Sequence, residues 1–327
     1  MSELHKFIFE GLPVRGMLVR LTDSWREVLA RRSRSSDPFP APVRALLGEM
    51  AAAGVLMQSN IRFDGALVLQ MFGDGPVKLA VAEVQAQLGF RVTAKVSGAV
   101  DDAAQLEAML NVHGQGRCAI TLDPHDKRGG RQPYQGVVAL HGAAREPLQE
   151  LGPVLEHYML QSEQLDTRLI LAADDEVAAG VLIQRLPIEG LGNLGAARAR
   201  VPDEDRIGHD EDYKRIAHLV ATLTREELLT LDANTVLRRL FWEEPLRRFP
   251  ALAGDDGPHF ECSCSRQRVG AMLKGLGRAE VDAIVAEQGR VEIGCDFCGL
   301  QYHFDPIDVC ELFTPGRDQL PGSATQH

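Results

Sequence analysis

Two pairs of cysteines near the C-terminal end constrain the fold of this 327-residue chain more than any other feature. Cys262 and Cys264 are separated by one residue, whereas Cys295 and Cys298 are separated by two and are followed by Gly299. Two intervening residues allow a tight turn to direct both sulfurs at one ion, and Gly299 permits the positive φ that such a turn needs. A single intervening residue places two side chains on the same face of an extended strand.

Four thiolates arranged in this way suit a tetrahedral zinc ion at about 2.3 Å from each sulfur, so we predict one zinc ion per chain in the reduced protein. Thiolates are also the species that oxidants attack. The spacing alone therefore leaves two alternatives open, a redox-inert structural zinc site and a site whose sulfurs are oxidised in use. His259 and His303 flank the cysteines, but four sulfur ligands already complete the expected coordination.

The other two cysteines are expected to be structural. Cys118 begins the apolar run of residues 118–122, which predicts a buried strand with the thiol in the core. Cys310 lies beside Val309 in the helical pattern of residues 307–313, and we expect it to be packed as well.

Charge and composition limit the classes of partner and the compartment. The net charge of −11 disfavours nonspecific attraction to nucleic acid or anionic lipid. The first residues lack the basic and apolar regions of a signal peptide, and apolar stretches such as residues 51–57 are too short to span a membrane. We therefore expect a cytoplasmic protein, where thiols stay reduced. A P-loop, a dinucleotide fingerprint and a nucleophile elbow are all missing from the sequence, so we do not predict an enzyme.

The pattern of apolar runs predicts an α+β fold. Helices are expected over residues 25–32 and 43–57 and from Pro147 to about residue 160. Strand-like runs occur at residues 14–21, 66–72, 77–84, 91–96, 118–122, 136–140, 168–173 and 180–186. Because these strands do not alternate regularly with helices, a doubly wound parallel sheet is not expected.

A charged run over residues 201–212 marks the end of the large domain. We predict an N-terminal mixed α/β domain (1–204), an amphipathic helical linker (205–255), a small C-terminal zinc-binding domain (256–314) and a disordered tail (315–327).

Three helical patterns fill the predicted linker. The first places apolar residues at helical spacing, namely Ile216, Leu219, Val220 and Leu223. Thr224 followed by Glu227 is a capping box for a second helix. The third ends before Pro245 and holds Val236, Leu237, Leu240, Phe241 and Trp242. These apolar faces must be covered by another part of the protein.

The region between the cysteine pairs predicts a small module. Helices are expected over residues 266–273 and 279–288, the second closed by Gly289, with strands at 291–293 and 301–304. Such a module has little apolar core of its own, so its stability would depend on the metal, which supplies about 10–16 kcal/mol in small zinc fingers.

The chain resembles the heat shock protein 33 family over nearly its whole length. The resemblance rests on the two cysteine pairs with their neighbours, Cys262-Ser263-Cys264-Ser265-Arg266 and Cys295-Asp296-Phe297-Cys298-Gly299. It extends to residues 116–122, 133–136, 158–165, 239–244 and 302–305. One departure is Gln267, where the family commonly has an acidic residue, and it leaves all four cysteines in place.

The resemblance implies a redox-regulated, ATP-independent holdase chaperone that is zinc-bound and inactive when reduced. Oxidants would release the zinc and form the disulfides Cys262–Cys264 and Cys295–Cys298. The active form is similarly expected to be a homodimer that binds unfolding or oxidatively damaged proteins and prevents their aggregation. The small domain would lose order with its metal, and the linker would then expose apolar side chains to clients. We predict that these are Leu219, Leu223, Leu240, Phe241 and Trp242.

Two other functions compete with this interpretation. A zinc ribbon that binds nucleic acid or protein would share the cysteine spacing, although the acidity of the chain disfavours nucleic acid. A thiol oxidoreductase would use Cys295 and Cys298, but the βαβ pattern typical of thioredoxin-like folds is not found around them.

Overall fold

The computed structural model describes residues 1–33, 38–126, 132–186 and 210–314. The chain divides into two compact units, Met1–Cys262 and Ser263–His327. Each combines sheets with helices, which confirms the predicted α+β class. The predicted linker boundary at 204/205 and the predicted tail lie outside the described residues, and the division into four segments stays a prediction.

The first unit contains strands and helices in the order β1 (Glu3–Phe9), β2 (Val14–Leu21), α1 (Asp23–Arg32), α2 (Ala41–Asn60), β3 (Gly65–Phe72), β4 (Val77–Val84), β5 (Gly89–Val96), α3 (Leu106–Leu110), β6 (Arg117–Pro124), β7 (Tyr134–Ala139), α4 (Leu151–Ser162), β8 (Thr167–Ala173), β9 (Ala178–Arg185), α5 (Glu211–Ala221), α6 (Arg225–Thr230), α7 (Ala233–Phe241), β10 (Leu246–Arg248), β11 (Leu252–Ala253) and β12 (His259–Phe260). All eight strands predicted from apolar runs are present, with ends shifted by no more than about two residues.

These strands form two sheets. The first has the order β10-β1-β2-β9-β8, and β11 also pairs with β1. The second has the order β12-β5-β4-β3-β6-β7. Neighbouring strands are antiparallel except β12, which runs parallel to β5. Strands β1, β10, β11 and β12 are not predicted from the sequence, because β1 mixes charged with apolar residues and the other three are very short.

Helix α2 lies in the core between the two sheets. It packs against strands of both, and its residues 50–58 are all buried, whereas Arg44 and Glu49 nearer its start are partly exposed. A side chain at Gly48 would not fit, because its Cβ would lie 2.5 Å from the Cβ of Ala173. Helix α4 packs against β8 and β7 and begins at Leu151 rather than at Pro147 as predicted.

The opposite face of the first sheet is covered by α5, α6 and α7. Apolar side chains of these helices pack on alternate residues of β1, β2 and β9, such as Phe7, Leu18 and Ile183. The central strands of this sheet are therefore buried on both faces, which explains the uninterrupted apolar sequence of residues 178–183 in β9. The predicted amphipathic helices of the 205–255 segment are confirmed in its described part, and they belong to the first unit.

The second unit is small. It consists of α8 (Arg266–Leu276), α9 (Arg278–Gln288), the antiparallel pair β13 (Val291–Gly294) and β14 (Gln301–Phe304), and α10 (Pro306–Phe313). These elements follow the predicted order, and Gly289 closes α9 in the left-handed conformation with φ 81°. The buried core of its described part consists of Leu273, Val281, Val291, Tyr302, Phe304 and Val309.

Candidate metal centre

The first cysteine pair lies in an irregular segment between β12 and α8. Strand β12 ends at Phe260 and no further strand precedes α8, so Cys262 and Cys264 do not lie in an extended strand as predicted. The segment is fixed at its end by Ser265, whose hydroxyl accepts a hydrogen bond of 3.2 Å from the backbone N–H of Arg268. This N-cap holds the chain directly after Cys264.

The second pair lies in the tight turn that joins β13 to β14. The backbone N–H of Gly299 donates to the carbonyl of Cys295 (2.8 Å), and the N–H of Cys295 donates to the carbonyl of Leu300 (2.9 Å). Gly299 has φ +70°, which confirms the positive φ predicted for this position. Local backbone chemistry therefore directs Cys295 and Cys298 to the same side of the turn.

The sulfurs of Cys262, Cys264, Cys295 and Cys298 all lie within 4.8 Å of one another, and those of Cys264 and Cys298 are 3.3 Å apart. Sulfurs bound to a tetrahedral zinc ion at about 2.3 Å are separated by about 3.8 Å, so the observed spacing fits such a site. None of these four cysteines forms a disulfide bond in the structure. The group could therefore hold a metal ion, and its soft donors suit zinc better than the hard cations calcium or magnesium.

Two hydrogen-bond donors contact the first cysteine pair. The Arg91 guanidinium on β5 donates to the sulfur of Cys262, and the Tyr302 hydroxyl on β14 donates to the sulfur of Cys264. The bond to Cys264, followed by burial, raises the pKa of Tyr302 above its ordinary value. Neither residue is predicted as a site residue, because their contacts with the cysteines depend on the tertiary fold.

The two histidines near the cysteines have other partners. The Nδ1 of His259 lies 3.0 Å from the carbonyl of Gly257, and the Nδ1 of His303 lies 3.6 Å from a carboxylate oxygen of Glu292. Within the described residues, neither histidine belongs to the group of four sulfurs.

The remaining cysteines differ from each other. Cys118 is fully buried in β6, as predicted, and burial raises the pKa of its thiol to about 12. Cys310 is exposed, so the prediction that it packs in the core is wrong. The helix predicted around it exists as α10, but the second unit is too small to cover both sides of this helix. Val309 occupies the buried side, and Cys310 faces solvent.

The residues predicted to bind clients fall into two groups. Leu223, Leu240 and Phe241 are buried against the first sheet, and Leu219 is half-buried beside them. Trp242 is 75% exposed, so the expectation that it is covered before activation is wrong. It follows the last residue of α7 and serves as its C-cap, which places it beyond the buried face of the helix. Among the described residues, no helix combines the length and apolar character required to cross a lipid bilayer.

Comparisons with a family model and with relatives of known name identify the same protein family, and comparison with a solved structure identifies a similar fold. The family model described as "Hsp33 protein" matches residues 2–305. A 33 kDa chaperonin from Chromobacterium violaceum is 45% identical over 313 residues, which cover 95% of this chain and 94% of that protein. A 33 kDa chaperonin from Methylobacillus flagellatus is 40% identical over 327 residues, covering 100% and 99%. The crystal structure of a heat shock protein 33 homologue from Thermotoga maritima has a similar fold, with a TM-score of 0.71, 19% identity, and 95% of this chain and 97% of that chain covered.

Proposed function

The chain belongs to the Hsp33 family, and from this membership and its four-cysteine group we propose that it is a redox-regulated, ATP-independent holdase chaperone. The observation that carries the proposal is the group of sulfurs within 4.8 Å of one another, in a chain that the family model matches over residues 2–305. The names of its relatives support a chaperone, and the cysteine group supports redox control.

In the reduced protein, Cys262, Cys264, Cys295 and Cys298 are the zinc ligands. A bound zinc ion would hold these sulfurs as thiolates and connect the irregular segment before α8 to the turn between β13 and β14. The second unit needs such a connection because the buried core of its described part comprises six residues. Structural zinc contributes about 10–16 kcal/mol in modules of this kind.

Oxidation removes the ligands. Hydrogen peroxide takes two electrons from a pair of thiolates, so that one S–S bond forms while the O–O bond breaks. The two peroxide oxygens take up two protons from solvent and leave as water. The pairs are Cys262 with Cys264 and Cys295 with Cys298, as the family resemblance implies. A disulfide sulfur carries no negative charge and is a poor metal ligand, so the second unit loses the free energy that zinc binding supplied.

Activation then exposes apolar surface on α5, on α7 and at Leu223, which follows α5. Leu219, Leu223, Leu240 and Phe241 are covered in the folded state, and their release would create a surface that binds the apolar segments of unfolding proteins. Trp242 extends this surface and is already exposed. The active form is a homodimer in the cytoplasm. Its net negative charge gives it no general affinity for nucleic acid or membranes.

The test compares reduced, zinc-bound protein with protein oxidised by peroxide, each added to a thermally unfolding enzyme without ATP. Oxidised protein should suppress light scattering at about equimolar ratio, whereas reduced protein should not. The Cys310→Ser variant is the matched control and should behave like the wild type, because Cys310 lies outside the cysteine group. Equal suppression by both forms would refute the redox control, and no suppression by either form would refute the chaperone function.

A further inference from the structure

Arg91 on β5 contacts Cys262, the first residue of the cysteine group. Its guanidinium donates one hydrogen bond to the sulfur of Cys262 and another, of 2.7 Å, to a carboxylate oxygen of Glu83 on the neighbouring strand β4. The side chains of Arg91 and Glu83 are 18% and 17% exposed, so water screens this pair less than it would a surface ion pair. One guanidinium therefore connects a carboxylate of the sheet to a cysteine sulfur.

The carboxylate that holds Arg91 is itself fixed. Gln85 donates a hydrogen bond of 2.8 Å to the other oxygen of Glu83, and the side-chain oxygen of Gln85 lies 2.8 Å from Nε2 of His125. The second ring nitrogen of His125 lies 3.2 Å from a carboxylate oxygen of Asp64. This continuous polar chain restricts Glu83, so the guanidinium is held in place before any metal binds.

The backbone that carries Cys262 is attached to the same strand as Arg91. Strand β12 pairs with Gly89 and Phe90, and the backbone N–H of Glu261 donates to the carbonyl of Phe90 (2.9 Å). Gly89 makes this approach possible, because a Cβ there would lie 2.9 Å from the Cβ of Glu261. Cys262 is the next residue, so both its backbone and its sulfur are held by β5.

We propose that Arg91 is a positioning residue for Cys262, which it orients as a metal ligand and whose negative charge it partly offsets. This inference rests on the proposed function, since it concerns the same cysteine group. Four thiolates around one zinc ion carry two surplus negative charges, and a neighbouring guanidinium reduces their mutual repulsion. Arg91 donates more weakly to a disulfide sulfur than to a thiolate, so its presence favours the reduced, metal-bound state.

Two variants and one control test the proposal. Arg91→Met keeps much of the side-chain length but removes the charge and the donors, and it should accelerate zinc release to a colorimetric chelator about tenfold. Arg91→Lys keeps the charge near Glu83 but cannot make two directed contacts, so its release rate should be intermediate. Arg168→Met removes another partly buried ion pair, with Glu156 (3.2 Å), and should release zinc at the wild-type rate.

A second measurement separates positioning from general stability. Reduced, zinc-bound protein is alkylated briefly, so that a sulfur is modified only while it has left the metal, and the modification of Cys262 and Cys295 is compared by peptide mass spectrometry. Arg91→Met should increase the modification of Cys262 relative to Cys295, and Arg91→Lys should partly restore the wild-type ratio. Wild-type zinc release and labelling ratios in both Arg91 variants would overturn the inference, as would equally fast release in Arg168→Met. Absence of zinc from the reduced wild-type protein would instead refute the proposed function.

Discussion

The six cysteines of the chain differ in their access to thiol reagents. In reduced, zinc-bound protein we expect rapid alkylation at Cys310 alone, because it is exposed and lies outside the cysteine group. Chelation of the metal should make the four clustered cysteines reactive to the reagent as well. Cys118 should react only in denaturant, because its thiol is fully buried with a pKa raised to about 12. Mass spectrometry of the alkylated chain counts the modified thiols at each stage.

Cys310→Ser is the control for this count. The variant should show no modification in the zinc-bound state, and the modifications that follow chelation and denaturation should be unchanged. Labelling of Cys118 before denaturation would show that the first unit opens in the native state. Protection of Cys310 in the zinc-bound protein would contradict its exposed position on α10.

A second prediction at this scale concerns Glu49 on α2. Burial raises its pKa to about 7, against the opposing effect of Arg225 at 3.4 Å. A carboxyl whose pKa is higher in the folded state favours folding in its protonated form, so its ionisation lowers stability as the pH rises from about 4.5 to 7. Glu49→Gln should therefore be more stable than the wild type, by a margin that grows by about 1 kcal/mol between pH 6 and pH 8.5.

Urea unfolding of the reduced protein at the two pH values measures this margin. The side chain of Glu49 is 18% exposed, and the expected margin is accordingly smaller than the full pKa shift would give. Glu27→Gln on α1 removes an exposed glutamate that pairs with Arg31 and is the matched control for the loss of a carboxylate. A margin for Glu49→Gln that is the same at both pH values would contradict the raised pKa.

Which site residues can be predicted from sequence depends on how far along the chain their partners lie. The turn at Cys295 needs Gly299 four residues later, so the positive φ is predictable from local spacing. Arg91 contacts Cys262 because β5 and β12 pair in the folded protein, and no local sequence pattern predicts that pairing. The exposure of Cys310 likewise depends on which side of α10 the small second unit covers.

At the scale of elements, the capping box of α6 has a measurable effect. The backbone N–H of Glu227 donates to the Thr224 hydroxyl (3.2 Å), and the N–H of Thr224 donates to the Glu227 carboxylate (3.0 Å). Thr224→Ala removes the first of these bonds and should destabilise the α5–α7 segment by about 1 kcal/mol. Native-state hydrogen exchange in that segment should then be faster.

Thr230→Ala is the matched control in the same helix, because the Thr230 hydroxyl bonds to the carbonyl of Glu226 and caps no free N–H group. Hydrogen exchange in the α5–α7 segment of this variant should be as slow as in the wild type, or slower. Equal acceleration in both variants would mean that any loss of a hydroxyl, rather than the cap, loosens the segment.

The elements that sequence predicts well are those buried on both faces. Strand β9, for example, is apolar without interruption over residues 178–183 because α2 covers one face and α5–α7 the other. Strand β12 has two residues and exists because β5 provides a parallel partner, so its own sequence carries no signal. Pro147 suits a helix start and therefore predicts the beginning of α4 four residues too early, because the helix begins at Leu151.

At the scale of the whole molecule, stability is distributed unevenly. The first unit has two extensive apolar clusters, one on each face of the first sheet. The second unit has a small buried core in its described part together with the turn that carries Cys295 and Cys298. Loss of a metal ion should therefore affect the second unit far more than the core around α2. This asymmetry allows the proposed redox event to change the second unit while the core around α2 stays folded.

The most direct test of the proposed switch is a stepwise peroxide titration of the reduced, zinc-bound protein. Zinc release is followed with a colorimetric chelator, and samples from each step are assayed for suppression of client aggregation. We expect about one zinc ion per chain to be released, with suppression rising in parallel with zinc release. Full zinc release and disulfide formation without any gain in suppression would contradict the account.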